Sequence, residues 1–378
     1  MSGTGCNRID IIRRTAHGFL LALAVAFTPG QSIADNGTAP IARSFFRLPA
    51  AFDGQVLTLE AMELRPRLPG PFPLAIIAHG TPGTEDKRRQ YKVDSFTPQA
   101  IEFARRGFVT IAFLRRGYGT SDGRYAESNG ACGHMNYLDA GLESARDIAA
   151  AIQSFADKPY VDRSRVLVVG QSAGGFAALA LARTPPPGVL AIVNFAGGRG
   201  HFVERNAVCE PEKLVAATGQ FARGAQLPGL WIYAENDKSF GPGLARQMLN
   251  AYLANGGHAE MVMAPPFGED GHYLFALGLA EWRRPVDEFL RRMRLPTMLP
   301  EPRAVPPPEI RGKAADAFRK YAESLLPNKA FAASADGAFA WKAGARSVDL
   351  ARVDALIQCR QRGAVCSILH EVSDFSDE

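Results

Sequence analysis

The sequence lacks the short motifs that mark most metal, nucleotide and redox sites. Its 378 residues contain no H-E-x-x-H, C-x-x-C or G-x-x-x-x-G-K pattern, and no G-x-G-x-x-G follows a first strand. The net charge is only +5, with Lys and Arg scattered among Asp and Glu rather than gathered in one tract. We therefore expect no metal, no cofactor and no nucleic-acid partner.

The chain also lacks an apolar run long enough for a membrane span. The stretch 18–27 has about ten residues, whereas a spanning helix needs roughly 20. It follows Arg13-Arg14 and precedes a small-residue site that ends at Ala34. This layout predicts a signal peptide over residues 1–34 and a periplasmic or secreted protein, with a retained anchor as the alternative.

Cysteine is scarce, with five in the whole chain. Removal of the signal peptide would leave Cys132, Cys209, Cys359 and Cys366, an even number in a compartment that permits disulfides. The closeness of Cys359 and Cys366 favours a Cys359–Cys366 bridge together with Cys132–Cys209. Four buried thiols are the alternative.

Strand-like and helix-like segments alternate from about residue 43 to 294, which predicts an α/β fold with a mostly parallel, doubly wound sheet. Apolar runs without polar alternation indicate strands buried on both faces. The predicted strands are 55–64, 73–78, 108–114, 165–170, 189–195, 229–234 and 259–264, and the predicted helices are 98–106, 138–156, 173–183, 243–255 and 278–292. A proline-rich linker over 295–311 would separate this domain, 35–294, from a small C-terminal α/β module, 312–378.

The segment Gly170-Gln171-Ser172-Ala173-Gly174 has the G-x-S-x-G pattern between a predicted strand and a predicted helix. A sharp turn at that place presents a serine hydroxyl above the sheet, and the small neighbours let strand and helix approach. Ser172 is therefore the candidate nucleophile.

A serine nucleophile needs a base and an orienting acid, which follow it in the order acid and then histidine on a fold that presents such an elbow. His272 follows the last predicted strand of the main domain and is the candidate base, ahead of His258 and His201. Asp237 lies just past the strand 229–234 and is the candidate acid, with Glu235 as its competitor. We expect Asp270 to give the His272 loop local support only.

A tetrahedral intermediate needs donors for its oxyanion, and the backbone amides of Thr81 and Ala173 are the candidates. Thr81 follows the predicted strand 73–78 in the sequence His79-Gly80-Thr81-Pro82-Gly83. We expect His79 to brace that loop by hydrogen bonding rather than to act as a base.

These segments, together with Arg116-Gly117-Tyr118-Gly119-Thr120-Ser121, resemble the α/β-hydrolase superfamily on its dienelactone-hydrolase and prolyl-oligopeptidase-like side. The resemblance spans roughly residues 43 to 294 and implies metal-independent hydrolysis of esters, thioesters or amides. Dienelactone hydrolases use a cysteine nucleophile, and Ser172 departs from that pattern.

The expected function is a carboxylesterase-like serine hydrolase that acts on a small ester or acyl substrate. The alternatives are a serine peptidase and a non-catalytic binding protein on the same fold. The loops 115–137 and 197–227 each hold one cysteine, and we expect both to overhang Ser172 as a shallow, disulfide-tied roof.

Overall fold

The computed structural model describes residues 40–155, 157–202, 207–298, 304–362 and 365–378. The predicted signal peptide and part of the predicted proline-rich linker lie outside these residues. Within them, no helix is long and apolar enough to cross a membrane.

A twisted sheet, nine-stranded among the described residues, forms the centre of the molecule, in the order β10-β9-β6-β5-β3-β4-β2-β1-β14. The strands from β10 to β4 in this order pair in parallel, β2 is antiparallel to both β4 and β1, and β14 is parallel to β1. The predicted mostly parallel sheet is confirmed. These strands are β1 (Ile41–Phe52), β2 (Gln55–Pro66), β3 (Phe72–Ala78), β4 (Val109–Phe113), β5 (Val161–Gln171), β6 (Val189–Phe195), β9 (Pro228–Ala234), β10 (His258–Ala264) and β14 (Phe375–Asp377).

Helices cover both faces of this sheet, as the unbroken apolar strands predicted. Successive residues of β3 point to opposite faces, so Ile76 packs in one hydrophobic cluster with α3 and α4, and Ile77 in another with α2 and α8. The helices are α1 (Glu85–Arg89), α2 (Thr97–Arg105), α3 (Tyr137–Phe155), α4 (Ala173–Leu181), α5 (Pro211–Phe221), α6 (Pro242–Ala254), α7 (Leu274–Leu277), α8 (Leu279–Arg292), α9 (Gly312–Glu323) and α10 (Val348–Arg360).

Strand β1, which was not predicted, forms a long hairpin with β2. The turn between them is Asp53-Gly54, with φ of 48° and 82°, and Phe52 pairs with Gln55 across it. A two-residue loop with positive φ at both positions matches the right-handed twist of the strands it joins, and Asp-Gly is a favoured sequence for it. The dipeptide was therefore an available signal for the hairpin.

The insertion 197–227, predicted as a loop, contains structure of its own. The short strands β7 (His201–Phe202) and β8 (Ala207–Val208) pair with each other, and α5 follows them. The buried residues of α5 include Leu214, Ala217, Thr218 and Phe221. This is the i, i+3, i+4, i+7 spacing of an amphipathic helix, so its signal too was present in the sequence.

The C-terminal segment has a small antiparallel sheet of its own, formed by β11 (Lys329–Ser334) between β12 (Phe339–Lys342) and β13 (Cys366–Val372). Helix α10 packs against this sheet, and Cys359 is bonded to Cys366. The chain then returns to the main sheet as β14. The described residues from 40 onward form one compact unit, and the domain boundaries at 294 and 312 stay a prediction.

Candidate functional site

Ser172 sits at the turn between β5 and α4, with φ 55° and ψ −122°. This is a strained backbone conformation for a residue with a side chain. It is held from both sides, because the Ser172 amide donates to the Phe195 carbonyl at 2.9 Å and the Ser172 carbonyl accepts from Phe176 at 2.9 Å. The structure therefore places Ser172 at the carboxyl end of a central strand and at the N-terminus of a helix.

The turn needs glycine where strand and helix cross. A Cβ on Gly170 would lie 2.2 Å from the carbonyl oxygen of Gly174, and one on Gly174 would lie 2.1 Å from the carbonyl oxygen of Ala78. No side chain fits at either position. The two glycines of the G-x-S-x-G pattern are thus explained by close backbone contact.

His272 and Asp237 are brought together at the same edge of the sheet. The His272 Nδ1 and Asp237 Oδ2 atoms lie 3.2 Å apart, and the Asp237 side chain is fully buried. The other carboxylate oxygen, Oδ1, accepts from the amides of Ser239 and Phe240, each at 2.8 Å. A carboxylate facing Nδ1 favours the tautomer in which Nδ1 carries the proton, which leaves Nε2 as a base.

Asp270 links the acid loop to the histidine loop. Its Oδ1 accepts from the His272 amide at 2.9 Å and from the Lys238 amide at 3.0 Å. Asp270 therefore supports the backbone of both loops. Glu235, the competing acid, is exposed to solvent.

A further hydrogen bond joins the serine turn to the histidine loop. Gln171, the residue before Ser172, donates from Nε2 to the His272 carbonyl at 3.1 Å. The rival histidines lie elsewhere. His258 is the first residue of β10, at the end of the strand opposite to the one that leads into the His272 loop, and His201 lies in β7. His272 is thus the histidine tied to both Ser172's neighbour and Asp237.

The loop after β3 lies directly against the serine. A Cβ built on Gly80 would be 3.1 Å from the Ser172 Cβ and 3.6 Å from its Oγ. Thr81 follows Gly80, and Ala173 is the first residue of α4, where amides have no acceptor within the helix. One predicted oxyanion donor, Ala173, therefore follows Ser172 directly, and the other, Thr81, follows the glycine that lies against it.

His79 braces this loop and does not face the triad candidates. Its Nδ1 donates to the Gly80 carbonyl at 2.7 Å, and its Nε2 accepts from the Arg115 amide at 3.0 Å. Burial, reinforced by the charge of Arg115, holds the pKa of His79 well below its usual value. The ring is neutral and committed to two backbone groups.

The sequence model of the alpha/beta hydrolase family matches residues 75–358 of the chain. The chain belongs to the alpha/beta hydrolase family. This confirms the superfamily that the sequence motifs resemble.

Similar proteins of known name or structure include esterases and peptidases. The chain is 34% identical to a probable dipeptidyl-aminopeptidase B of Emericella nidulans over 127 residues, which are 32% of this chain and only 13% of that protein. An esterase of Pyrococcus furiosus matches in structure with a TM-score of 0.47 and 15% identity, over 66% of this chain and 92% of the esterase. An acylaminoacyl peptidase of Pyrococcus horikoshii matches with a TM-score of 0.47 and 16% identity, over 69% of this chain and 43% of the peptidase.

A buried cluster of charged side chains, which was not predicted, contacts the Thr81 loop. Glu127 is fully enclosed, with Arg115 donating to both of its carboxylate oxygens at 2.6 and 2.9 Å and Arg199 lying 2.8 Å from Oε1. Ser144 donates to the same carboxylate. Burial alone would raise the pKa of Glu127, but the two arginines outweigh it and hold this pKa well below its usual value. The carboxylate is therefore ionised.

The loops 115–137 and 197–227 are joined to each other, as the sequence favoured. Cys132 and Cys209 are bonded, and Glu210 Oε2 accepts from the amides of Gly133 and Met135 at 3.0 and 2.9 Å. Arg199 also donates to the Glu127 carbonyl at 2.7 Å. That both loops overhang Ser172 stays a prediction.

Among the described residues, no group of three or more His, Cys, Asp or Glu side chains is arranged to hold a metal ion. The residues that the site does bring together are a strained serine, a histidine oriented by a buried carboxylate, and a glycine-containing loop beside the hydroxyl. This set is suited to nucleophilic attack by an oxygen with proton transfer to an imidazole.

Proposed function

We propose that this alpha/beta hydrolase cleaves carboxylic ester or related acyl bonds through an acyl-enzyme on Ser172. The main support for the proposal is that a strained serine turn and a His272–Asp237 hydrogen bond lie at the same edge of the sheet. The Gln171 contact to the His272 carbonyl supports it, because it ties the two parts of the site to each other. Family membership supports hydrolysis as the reaction class.

Acylation begins when Ser172 Oγ attacks the substrate carbonyl carbon and His272 Nε2 takes the hydroxyl proton. Asp237 stabilises the imidazolium through Nδ1. The carbonyl oxygen becomes an oxyanion that accepts from the amides of Thr81 and Ala173. The intermediate collapses, the bond to the leaving oxygen breaks, and His272 gives its proton to the departing alcohol.

Deacylation repeats the same steps with water as the nucleophile. His272 Nε2 takes a proton from water, the hydroxide oxygen attacks the acyl carbon, and a second oxyanion forms in the same place. Collapse releases the carboxylic acid and returns the proton to Ser172 Oγ. These steps proceed without a metal ion or cofactor.

The test is hydrolysis of p-nitrophenyl esters by the wild-type protein and by Ser172→Ala. We expect the variant to lose turnover by about 10⁴-fold or more while its folding transition is unchanged. Ser367→Ala, which removes an exposed serine hydroxyl in β13, is the matched control and should keep normal turnover. Comparable activity of Ser172→Ala and wild type would contradict the proposal.

A serine peptidase is the second candidate, favoured by the partial similarity to the dipeptidyl-aminopeptidase. The same site would then attack an amide, with His272 protonating the leaving amine. Comparing kcat/KM for peptide p-nitroanilides and for p-nitrophenyl esters separates the two. We expect esters to be preferred. A protein that binds both and turns over neither would support a non-catalytic role.

We also propose that the protein is exported and that residues 1–34 are removed. The Cys132–Cys209 and Cys359–Cys366 bonds support an oxidising compartment. N-terminal sequencing of the protein from a bacterial periplasm should begin at residue 35. Recovery of the full chain from the cytoplasm, with all five cysteines as free thiols, would contradict this proposal.

A further inference from the structure

Thr81 carries more than a backbone amide, because its side chain enters the buried cluster. Its Oγ1 lies 2.7 Å from the Tyr118 hydroxyl and 3.2 Å from Glu127 Oε1. The Tyr118 hydroxyl also bonds to Glu127. The proposed oxyanion loop is therefore attached, through one side chain, to the Arg115–Glu127–Arg199 cluster.

The direction of these hydrogen bonds follows from charge. An ionised carboxylate has no proton to give, so the Tyr118 hydroxyl donates to Glu127. The Thr81 hydroxyl must then donate to the Tyr118 oxygen or to the carboxylate. Burial and the negative charge of Glu127 raise the pKa of Tyr118 well above its usual value, so the phenol keeps its proton.

Glu127, at the end of this series of hydrogen bonds away from Thr81, is itself fixed. Glu127 is held by both arginines, and Arg115 in turn donates to the His79 carbonyl at 2.6 Å. The cluster thus forms hydrogen bonds to the loop at His79 and at Thr81, on either side of Gly80, which contacts Ser172. A threonine side chain is stiff about χ1, so fixing Oγ1 also restricts the orientation of the Thr81 backbone.

We propose that Tyr118 and Glu127 are positioning residues for the proposed oxyanion site, acting through the Thr81 hydroxyl to aim the Thr81 amide at the developing negative charge. This inference rests on the proposed function for its catalytic consequence. The geometry of the loop itself does not depend on the proposed function. A misdirected amide weakens binding of the oxyanion more than binding of the neutral substrate, so kcat falls and KM changes little.

The first test compares Tyr118→Phe and Thr81→Val in ester hydrolysis. Each removes one hydroxyl and leaves a side chain of nearly the same shape, and Glu127 keeps its arginine partners. We expect kcat to fall about 10- to 100-fold in each, with KM within about threefold of wild type. Thr81→Ser, which restores the hydroxyl, should recover most of the lost turnover. The double variant should lose no more than Thr81→Val alone, because Thr81→Val already removes both hydrogen bonds by which this side chain reaches Tyr118 and Glu127.

Tyr160→Phe is the matched control. Tyr160 also donates to a glutamate, Glu63, at 3.0 Å, but that pair joins β2 to the beginning of β5, away from Ser172. The Tyr160→Phe substitution should leave kcat and KM unchanged. Equal losses of thermal stability in Tyr118→Phe and Tyr160→Phe, with kcat normal in both, would reduce Tyr118 to a packing role and overturn the proposal.

The second test does not need activity. Hydrogen exchange of the peptide segment 79–83 should be several-fold faster in Tyr118→Phe than in wild type and unchanged in Tyr160→Phe. Unchanged exchange overturns the positioning role whatever the kinetics show. Retained hydrolysis by Ser172→Ala, in contrast, would remove the proposed reaction while the exchange result still decides whether Tyr118 fixes the Thr81 loop.

Discussion

At the scale of single residues, the two acidic side chains that follow β9 have opposite surroundings. Asp237 is buried and faces His272 Nδ1, whereas Glu235 points to solvent. We predict that Asp237→Asn lowers kcat for p-nitrophenyl esters by about 10⁴-fold, because an amide at this position favours the wrong imidazole tautomer. Glu235→Gln, the matched control, should change kcat by less than about threefold. A larger loss of kcat in Glu235→Gln than in Asp237→Asn would assign the role of the acid to Glu235.

The buried His79 ring predicts a pH dependence of stability. Its pKa is lowered in the folded state, mainly by burial, so the unfolded chain binds a proton near pH 6.5 that the folded chain does not. The free energy of unfolding should therefore be highest above that pH and fall as the pH decreases below it, by up to about 1.4 kcal/mol per pH unit. Denaturant titrations at pH 7.5 and 5.5 measure this loss.

The variant His79→Gln is the control for the pH dependence of the free energy of unfolding. The variant should be less stable at pH 7.5, because two backbone hydrogen bonds are disturbed, yet its stability should change less between pH 7.5 and 5.5. An identical pH dependence in variant and wild type would show that other groups cause it.

The residues of the candidate site were predictable from the sequence to different degrees. The strand-turn-helix context selected Ser172, and the order along the chain selected an acid and a histidine after later strands. Glu127 could not be selected in that way. Its partners Arg115 and Arg199 are 12 and 72 positions away, and a charge held by partners at such separations has no local pattern.

At the scale of elements, the serine turn depends on the approach of α4 to β5. We predict that Gly170→Ala destabilises the fold by about 3 kcal/mol or more, since the added methyl group meets backbone at 2.2 Å. Gly243→Ala is the control, because a Cβ there has nothing within 4 Å and alanine suits the first turn of α6. Its stability should lie within about 1 kcal/mol of wild type by thermal unfolding. Similar stability of the two variants would contradict the close contact.

Elements with a strong periodic signal were predicted within a few residues, and β6 was predicted with its observed bounds, Val189–Phe195. The strand β1 was missed because Pro49 and the polar residues of Ile41–Phe52 obscure its alternation. Helix α5 was missed because it lies inside an insertion that was treated as a loop. In both cases a local signal existed and the surrounding irregular sequence concealed it.

At the scale of the whole molecule, the C-terminal segment is joined to helix α2 by a largely buried ion pair, whose side chains are 12% and 10% exposed. Asp374 Oδ1 accepts from Arg105 Nη2 at 2.5 Å, and its Oδ2 accepts from the Asn328 amide at 2.9 Å. We predict that Asp374→Asn lowers the free energy of unfolding by about 2 to 4 kcal/mol, because it removes one partner of a buried pair. Denaturant unfolding measures the change.

Asp349→Asn is the matched control for this effect. Asp349 pairs with Arg352, but its side chain is 76% exposed, and such surface pairs contribute less than about 1 kcal/mol. Its unfolding curve should superimpose on that of the wild type. Equal effects of the two substitutions would mean that the C-terminal segment does not depend on the Arg105 contact.

The pairing of β14 with β1 could not be predicted from the sequence. The register joins Ile41 to Phe375 and Arg43 to Asp377, at opposite ends of the described chain. A three-residue strand such as Phe375–Asp377 carries no periodicity that could reveal it. The α/β class and the positions of the central strands along the chain depend on longer apolar segments, which is why they were predicted.

The central claim is that Ser172 is the nucleophile, and covalent labelling tests it most directly. A fluorophosphonate probe should modify the folded protein at one site, and mass spectrometry of the digested protein should find the adduct on the peptide that contains Ser172. Labelling should be absent in Ser172→Ala and much slower in His272→Ala. An adduct on another serine, or equal labelling of Ser172→Ala and wild type, would contradict the account.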